Sequence, residues 1–147
     1  SGTVVTVKIY YRDFDELSLR GEENHRFNSE IHGDDLDLKI YGESRVIFNH
    51  LVLDNFNTTI YGEAYLEVKS GQTGRQKIIA YGECEVNTVN LKSKTAKVTA
   101  YGEGEIKLNV ESELKITAYG EAEISYKGSP LVNRGLVLGE AEIRQLN

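Results

Sequence analysis

The chain of 147 residues contains no Met and no Trp, a single Cys (Cys84) and a single Pro (Pro130). A lone cysteine rules out an internal disulfide and says little about compartment. No apolar run approaches the ~18 residues that a membrane-crossing helix requires. Basic residues are few and scattered: 17 Lys and Arg stand against 23 Asp and Glu, for a net charge of −6. Without a basic stripe to neutralise phosphates, no nucleic-acid partner is expected. No signal-peptide pattern opens the sequence, and Ser1-Gly2 has the look of a cloning remnant, so a targeting segment is expected upstream.

What the chain does have is regularity. Tyr-Gly-Glu occurs at Tyr41-Gly42-Glu43, Tyr61-Gly62-Glu63, Tyr81-Gly82-Glu83, Tyr101-Gly102-Glu103 and Tyr119-Gly120-Glu121. A degenerate copy follows at Leu138-Gly139-Glu140, and another precedes at Arg20-Gly21-Glu22. From glycine to glycine the intervals are 21, 20, 20, 20, 18 and 19 residues. Such a period marks a repeat architecture. Around each copy the residues alternate. Ile116, Ala118, Gly120, Ala122 and Ile124 fall on one face, and Thr117, Tyr119, Glu121 and Glu123 on the other. A helix would not hold a two-residue period through five copies, so the repeat is strand.

Second apolar pieces, such as 51–53, 89–91 and 108–110, recur between copies, with polar turns expected at 54–57 and 70–74. Two or three short strands in about twenty residues form one coil of a β-solenoid, each strand pairing with its equivalent ~4.8 Å away. About seven coils make a rod roughly 30 Å long. We expect one domain over 1–147: an N-terminal strand (3–11) and first coil through 37, regular coils over 38–126, and a closing coil over 127–147. The polar stretch 22–36 is expected to be the exposed side of the first coil, with a turn at Gly33.

The repeat resembles the head GIN domain family, an autotransporter-adhesin domain common in Bacteroidetes, whose hydrophobic-Ser-Gly-small-Gly pattern recurs every eighteen to twenty residues. Its closing segment, similar to Ile-x-Tyr-x-Gly-x-Pro-x-Val, has its counterpart in Ile124, Tyr126, Gly128, Pro130 and Val132. The resemblance implies an all-β, single-stranded right-handed parallel β-helix in the cell envelope, periplasmic or extracellular. It implies no catalytic residues. It also suggests that the chain corresponds to the second half of such a domain. This sequence departs from the pattern by placing Tyr before the glycine and Glu after it.

Those departures define the candidate site. The outward tyrosine column, Tyr41, Tyr61, Tyr81, Tyr101 and Tyr119, reads either as a stacking ladder or as an exposed aromatic strip for a surface glycan or protein. The outward glutamate column, Glu43, Glu63, Glu83, Glu103 and Glu121, is a solvated acidic face that attracts cations. Ca²⁺ is the one cofactor to consider there, since its ligands are hard oxygens; the Asp-rich turns of calcium-binding solenoid repeats are missing. Glycine is expected on the inward face, where it relieves a tight corner or allows positive φ. Cys84 reads as a small buried hydrophobe.

One constellation has a catalytic reading. His32, Asp34, Asp35 and Asp37, with Arg45 and His50, set clustered acids beside basic groups, as sugar-cleaving β-helix enzymes do. A polar turn is the plainer reading. The expected role is a non-catalytic envelope or surface binding module. The alternatives are a polysaccharide-active β-helix enzyme, or a structural, lipid- or partner-binding platform. Self-association is expected through the N-terminal strand or a coil end.

Overall fold

The computed structural model describes residues 4–7 and 16–146; of the N-terminal strand expected over 3–11, residues 3 and 8–11 lie outside the described residues. Eleven strands join in one sheet. In chain order they are β1 (Val4–Val7), β2 (Glu16–Gly21), β3 (Asn24–Gly42), β4 (Arg45–Tyr61), β5 (Tyr65–Val68), β6 (Gly71–Tyr81), β7 (Glu85–Tyr101), β8 (Glu105–Tyr119), β9 (Glu123–Lys127), β10 (Leu131–Leu138) and β11 (Glu142–Gln145). Every pairing is parallel. The sheet winds as a β-solenoid of about six turns. Seven glycine corners enclose six complete turns, which is why the count falls one short of the seven coils expected.

Register converts the sequence period into columns. Tyr41, Tyr61, Tyr81, Tyr101 and Tyr119 are partners across successive coils, as are Val46, Leu66, Val86, Ile106 and Ile124 inside the solenoid. The inward-pointing residues Leu38, Ile40, Ile60, Leu66, Ile78, Val98, Ile106 and Ile116 are buried. Phe27 stacks on Phe48 with ring centroids 4.6 Å apart, and Phe56 meets Phe48 edge-on at 6.2 Å. Like residues lie on like residues, so each coil buries its apolar face only against its neighbours.

Four local expectations are corrected. The glycines are not inward: Gly42, Gly62 and Gly82 are exposed, at corners with φ between +89° and +106°. Alternation runs straight through a bend in the sequence, whereas the chain turns there and the parity resumes on the next strand. Residues 22–36 are not the exposed side of a coil with a turn at Gly33. They lie mostly within β3, with His25, Phe27, Ile31 and Leu36 buried; the polar residues are the outward half of an ordinary coil. The 54–57 segment continues β4 and buries Phe56 completely. The 70–74 segment mostly opens β6, with Thr73 buried. Coils change direction here with the strand register resuming directly beyond Asp54 and Gly74, and polar composition imitates a loose turn.

Candidate functional site

Each Tyr-Gly-Glu forms one corner. The strand ends at the tyrosine, or at Gly42 in the first copy, the glycine takes positive φ, the glutamate is exposed, and a small residue plugs the interior: Ser44, Ala64, Cys84, Gly104 or Ala122. The glycine N–H still finds a partner, because Gly62 donates to the Tyr81 carbonyl (3.0 Å), and Gly82 to that of Tyr101 (2.9 Å). Gly102 repeats this with Tyr119 at 2.9 Å. The corner is thereby tied to the next coil, and the side chains on either side of it are held in line. Cys84 is buried among the small plugs, and burial pushes its thiol up to about 11, the opposite of what a nucleophile needs.

The tyrosine rings form a continuous stack. Centroid separations are 5.1, 4.8, 4.8 and 5.1 Å from Tyr41 to Tyr119, with interplanar angles of 4° or less. These distances follow the spacing of the strands. Arg20, at the tyrosine position of the preceding corner, lays its guanidinium over Tyr41 at 4.1 Å, a cation–π cap on one end. Leu138 is the register partner of Tyr119 at the other end. Tyr61, Tyr81 and Tyr101 remain 37–40% exposed. Their ring faces are covered by one another, so solvent meets ring edges and hydroxyls.

Beside the stack runs the glutamate column. The carboxyl of Glu43 is pushed above its ordinary value, first by hydrogen bonding with Glu22 and then with Glu63, and by the charges of both. Glu103 is raised in the same way, by Glu121 first and then Glu83. The middle carboxyl of each triple, Glu22–Glu43–Glu63 and Glu83–Glu103–Glu121, therefore holds its proton more tightly. Glu22 belongs to the column too, a member the degenerate Arg20-Gly21-Glu22 copy signalled. A second acidic column, Glu85, Glu105, Glu123 and Glu142, continues on the next strand. Among the described residues no group of three or more His, Cys, Asp or Glu converges as a metal site.

The catalytic constellation is dispersed. Asp35 and Asp37 each accept a hydrogen bond from an amide, Asn55 at 2.7 Å and Asn57 at 2.8 Å. His32 and His50 instead gather around Glu30, at 3.2 and 3.8 Å, with His50 also bonded to Ser70 at 2.7 Å. Arg45 stacks over the Tyr65 ring at 4.1 Å. The groove lined by Asp35 and Asp37 includes neither histidine. Sequence reasoning missed the Asn–Asp rungs and the Arg20 cap, although a twenty-residue offset from Asp35 and Asp37 leads directly to Asn55 and Asn57.

The fold is shared. The model of the family described as "Putative auto-transporter adhesin, head GIN domain" matches residues 1–130. The chain belongs to the head GIN domain family. Among solved structures, an adhesin-named protein from Parabacteroides merdae superposes with a TM-score of 0.84 at 18% identity, over 99% of this chain and 64% of its own. One from Bacteroides fragilis gives 0.83 at 20%, over 90% and 60%. A Parabacteroides distasonis protein named for lipid binding gives 0.78 at 19%, over 99% and 56%. At these identities the likeness concerns the fold, and this head GIN chain spans 56–64% of the length of those three structures. No curated protein matches the sequence. Among the described residues no helix is long and apolar enough to cross a membrane.

Proposed function

We propose that this head GIN chain is a non-catalytic binding module of the cell envelope, periplasmic or extracellular, whose partner lies along the tyrosine and glutamate columns. The observation that carries this reading is the locked register of five tyrosines along one corner of a rigid solenoid. Side chains already held in place lose little freedom when a partner arrives. Because the ring faces are mutually covered, the partner meets a row of ring edges and phenol hydroxyls flanked by carboxylates. A protein surface or a glycan rich in hydroxyls and cations suits that row. Stacking of sugar rings on aromatic faces does not.

The test is a glycan-array and pull-down screen with the native chain and a Tyr81→Ser/Tyr101→Ser variant. Retention lost in the variant, with the fold intact by circular dichroism, supports the reading; unchanged retention overturns it. A platform role for lipid or a partner finds support in Leu131, Leu136 and Leu138, which are 51–71% exposed on the last strand-bearing coil. No cofactor is part of the proposal. Calcium on the glutamate column would have to reveal itself as a loss of thermal stability in EDTA.

A further inference from the structure

The outward face of the sheet that leads into the tyrosine corner carries a second arrangement, unrelated to Tyr-Gly-Glu. An open groove of about 470 Å³ is lined by Asp35, Asp37, Asn55, Asn57, Arg75 and Lys77 among others. These six are two columns of the register, Asp35–Asn55–Arg75 and Asp37–Asn57–Lys77, so each coil contributes one pair. Acids occupy one rung, amides the next, cations the third.

The hydrogen bonding leaves specific groups unused. Asn55 and Asn57 donate their amide nitrogens to Asp35 and Asp37, at 2.7 and 2.8 Å. This fixes both amides and leaves their oxygens, and the second oxygen of each carboxylate, as acceptors. Among the described residues, neither Arg75 nor Lys77 has a carboxylate within 4.0 Å, although the chain carries a net charge of −6. The acids that would neutralise them lie two rungs away, about 10 Å at the usual strand spacing. The cationic column continues as Lys97 and Lys115 in register with Lys77. Like charges one rung apart repel, and a ligand with negative charge at matching intervals relieves that repulsion.

We propose that this groove binds an acidic oligosaccharide lying along the solenoid axis. A sugar carboxylate sits on Arg75 and Lys77, while hydroxyls of the next unit donate to the Asn55 and Asn57 amide oxygens and those of the unit after it to Asp35 and Asp37. A pyranose unit is about as long as one strand spacing, ~4.8 Å, so successive units fall on successive rungs. The guanidinium fork suits a planar carboxylate. An anionic membrane is disfavoured, because Asp35 and Asp37 would face the same headgroups as the cations. The inference rests on the reading of the chain as a binding module, and supplies a ligand class through residues outside the tyrosine column.

Calorimetric titration tests it, using an oligosaccharide with one terminal uronate on neutral units and its wholly neutral counterpart of the same length. The native chain should bind the uronate, more weakly as salt rises, and bind the neutral oligomer much less. Arg75→Gln/Lys77→Gln should weaken uronate binding by about tenfold or more, with the β-solenoid intact by circular dichroism. Four results would overturn the proposal: no uronate binding at millimolar concentration, equal affinity for the neutral oligomer, unchanged affinity in the double variant, or competition by inorganic phosphate or phosphatidylserine vesicles as effective as by uronate. Uronate binding should also survive in the Tyr81→Ser/Tyr101→Ser variant. A failed groove with tyrosine-dependent retention intact would refute this inference alone.

Discussion

Gly62 and Gly21 hold the same role in the repeat, yet their surroundings differ. Both have positive φ, +106° and +92°. A Cβ on Gly62 would meet the Gly42 carbonyl oxygen at 2.8 Å, whereas one on Gly21 meets nothing within 4 Å. Gly21→Ala should therefore cost only the backbone strain of a left-handed conformation, about 1–3 kcal/mol, and Gly62→Ala distinctly more. Chemical denaturation of the two variants checks the order, and equal losses would mean that the stacking of corner on corner is looser than described. Glu103 makes a second prediction at this scale. Its carboxyl is raised in the folded chain by Glu121 and Glu83. For a carboxyl raised on folding, the associated stability is present below the ordinary value of 4.5 and is lost as pH rises through the folded value. Glu103→Gln should thus melt higher than the native chain at pH 7, with the gap narrowing in added salt and closing at acid pH. A gap that persists at low pH would deny the carboxyl coupling.

At the scale of the element, the tyrosine stack is a ladder between coils. Tyr81 touches a ring on both sides, Tyr61 at 4.8 Å and Tyr101 at 4.8 Å. Each stacked pair contributes about 0.5–1.5 kcal/mol, so Tyr81→Ser should lose about twice that before any change in burial. Tyr119 stacks on Tyr101 alone among the tyrosines, so Tyr119→Ser should lose less; melting curves of the two variants provide the comparison. The ladder, the strand alternation and the inward Leu and Ile positions were legible because one period repeats them on one side of a strand. The corner was not. Counting by two through Tyr-Gly-Glu placed glycine inside, since alternation carries no information about where a strand bends. Phe56 was hidden for a related reason: surrounded by Asp54, Asn55 and Asn57, it looks like part of a turn, yet it fills the core beside Phe48. Phe56→Ala should cost about 3–5 kcal/mol. Gln76, its register partner in the next coil, is equally buried, and its amide is satisfied by Ser93 and Thr88, both at 2.8 Å. No local pattern announces such a network, because Gln76 meets Thr88 and Ser93 across the solenoid from the next coil.

For the whole molecule, the consequence of stacking is that the two ends differ from the middle. Interior coils bury their apolar columns on both sides. The last coil covers one side only, and Leu131, Leu136 and Leu138 on β10 stay exposed. Together with the unshared edges of parallel strands, this favours association through a coil end. Light scattering should show a concentration-dependent dimer or larger species, and Leu131→Lys should reduce it; a strict monomer at all concentrations would refute that expectation. The lateral surface is different in kind. One corner presents tyrosine edges and carboxylates, and the adjoining sheet face presents amides and cations that have no carboxylate partner among the described residues. A solenoid with two chemically distinct strips suits binding, and the groove acids Asp35 and Asp37 are already hydrogen-bonded to Asn55 and Asn57.

The most direct test of the central claim is the paired retention screen with the native chain and the Tyr81→Ser/Tyr101→Ser variant. The account predicts a partner held by the native chain and released by the variant, while circular dichroism reports the same β-solenoid in both. Equal retention by the two proteins, with only the melting temperature lowered in the variant, would make the tyrosine column a structural ladder and nothing more.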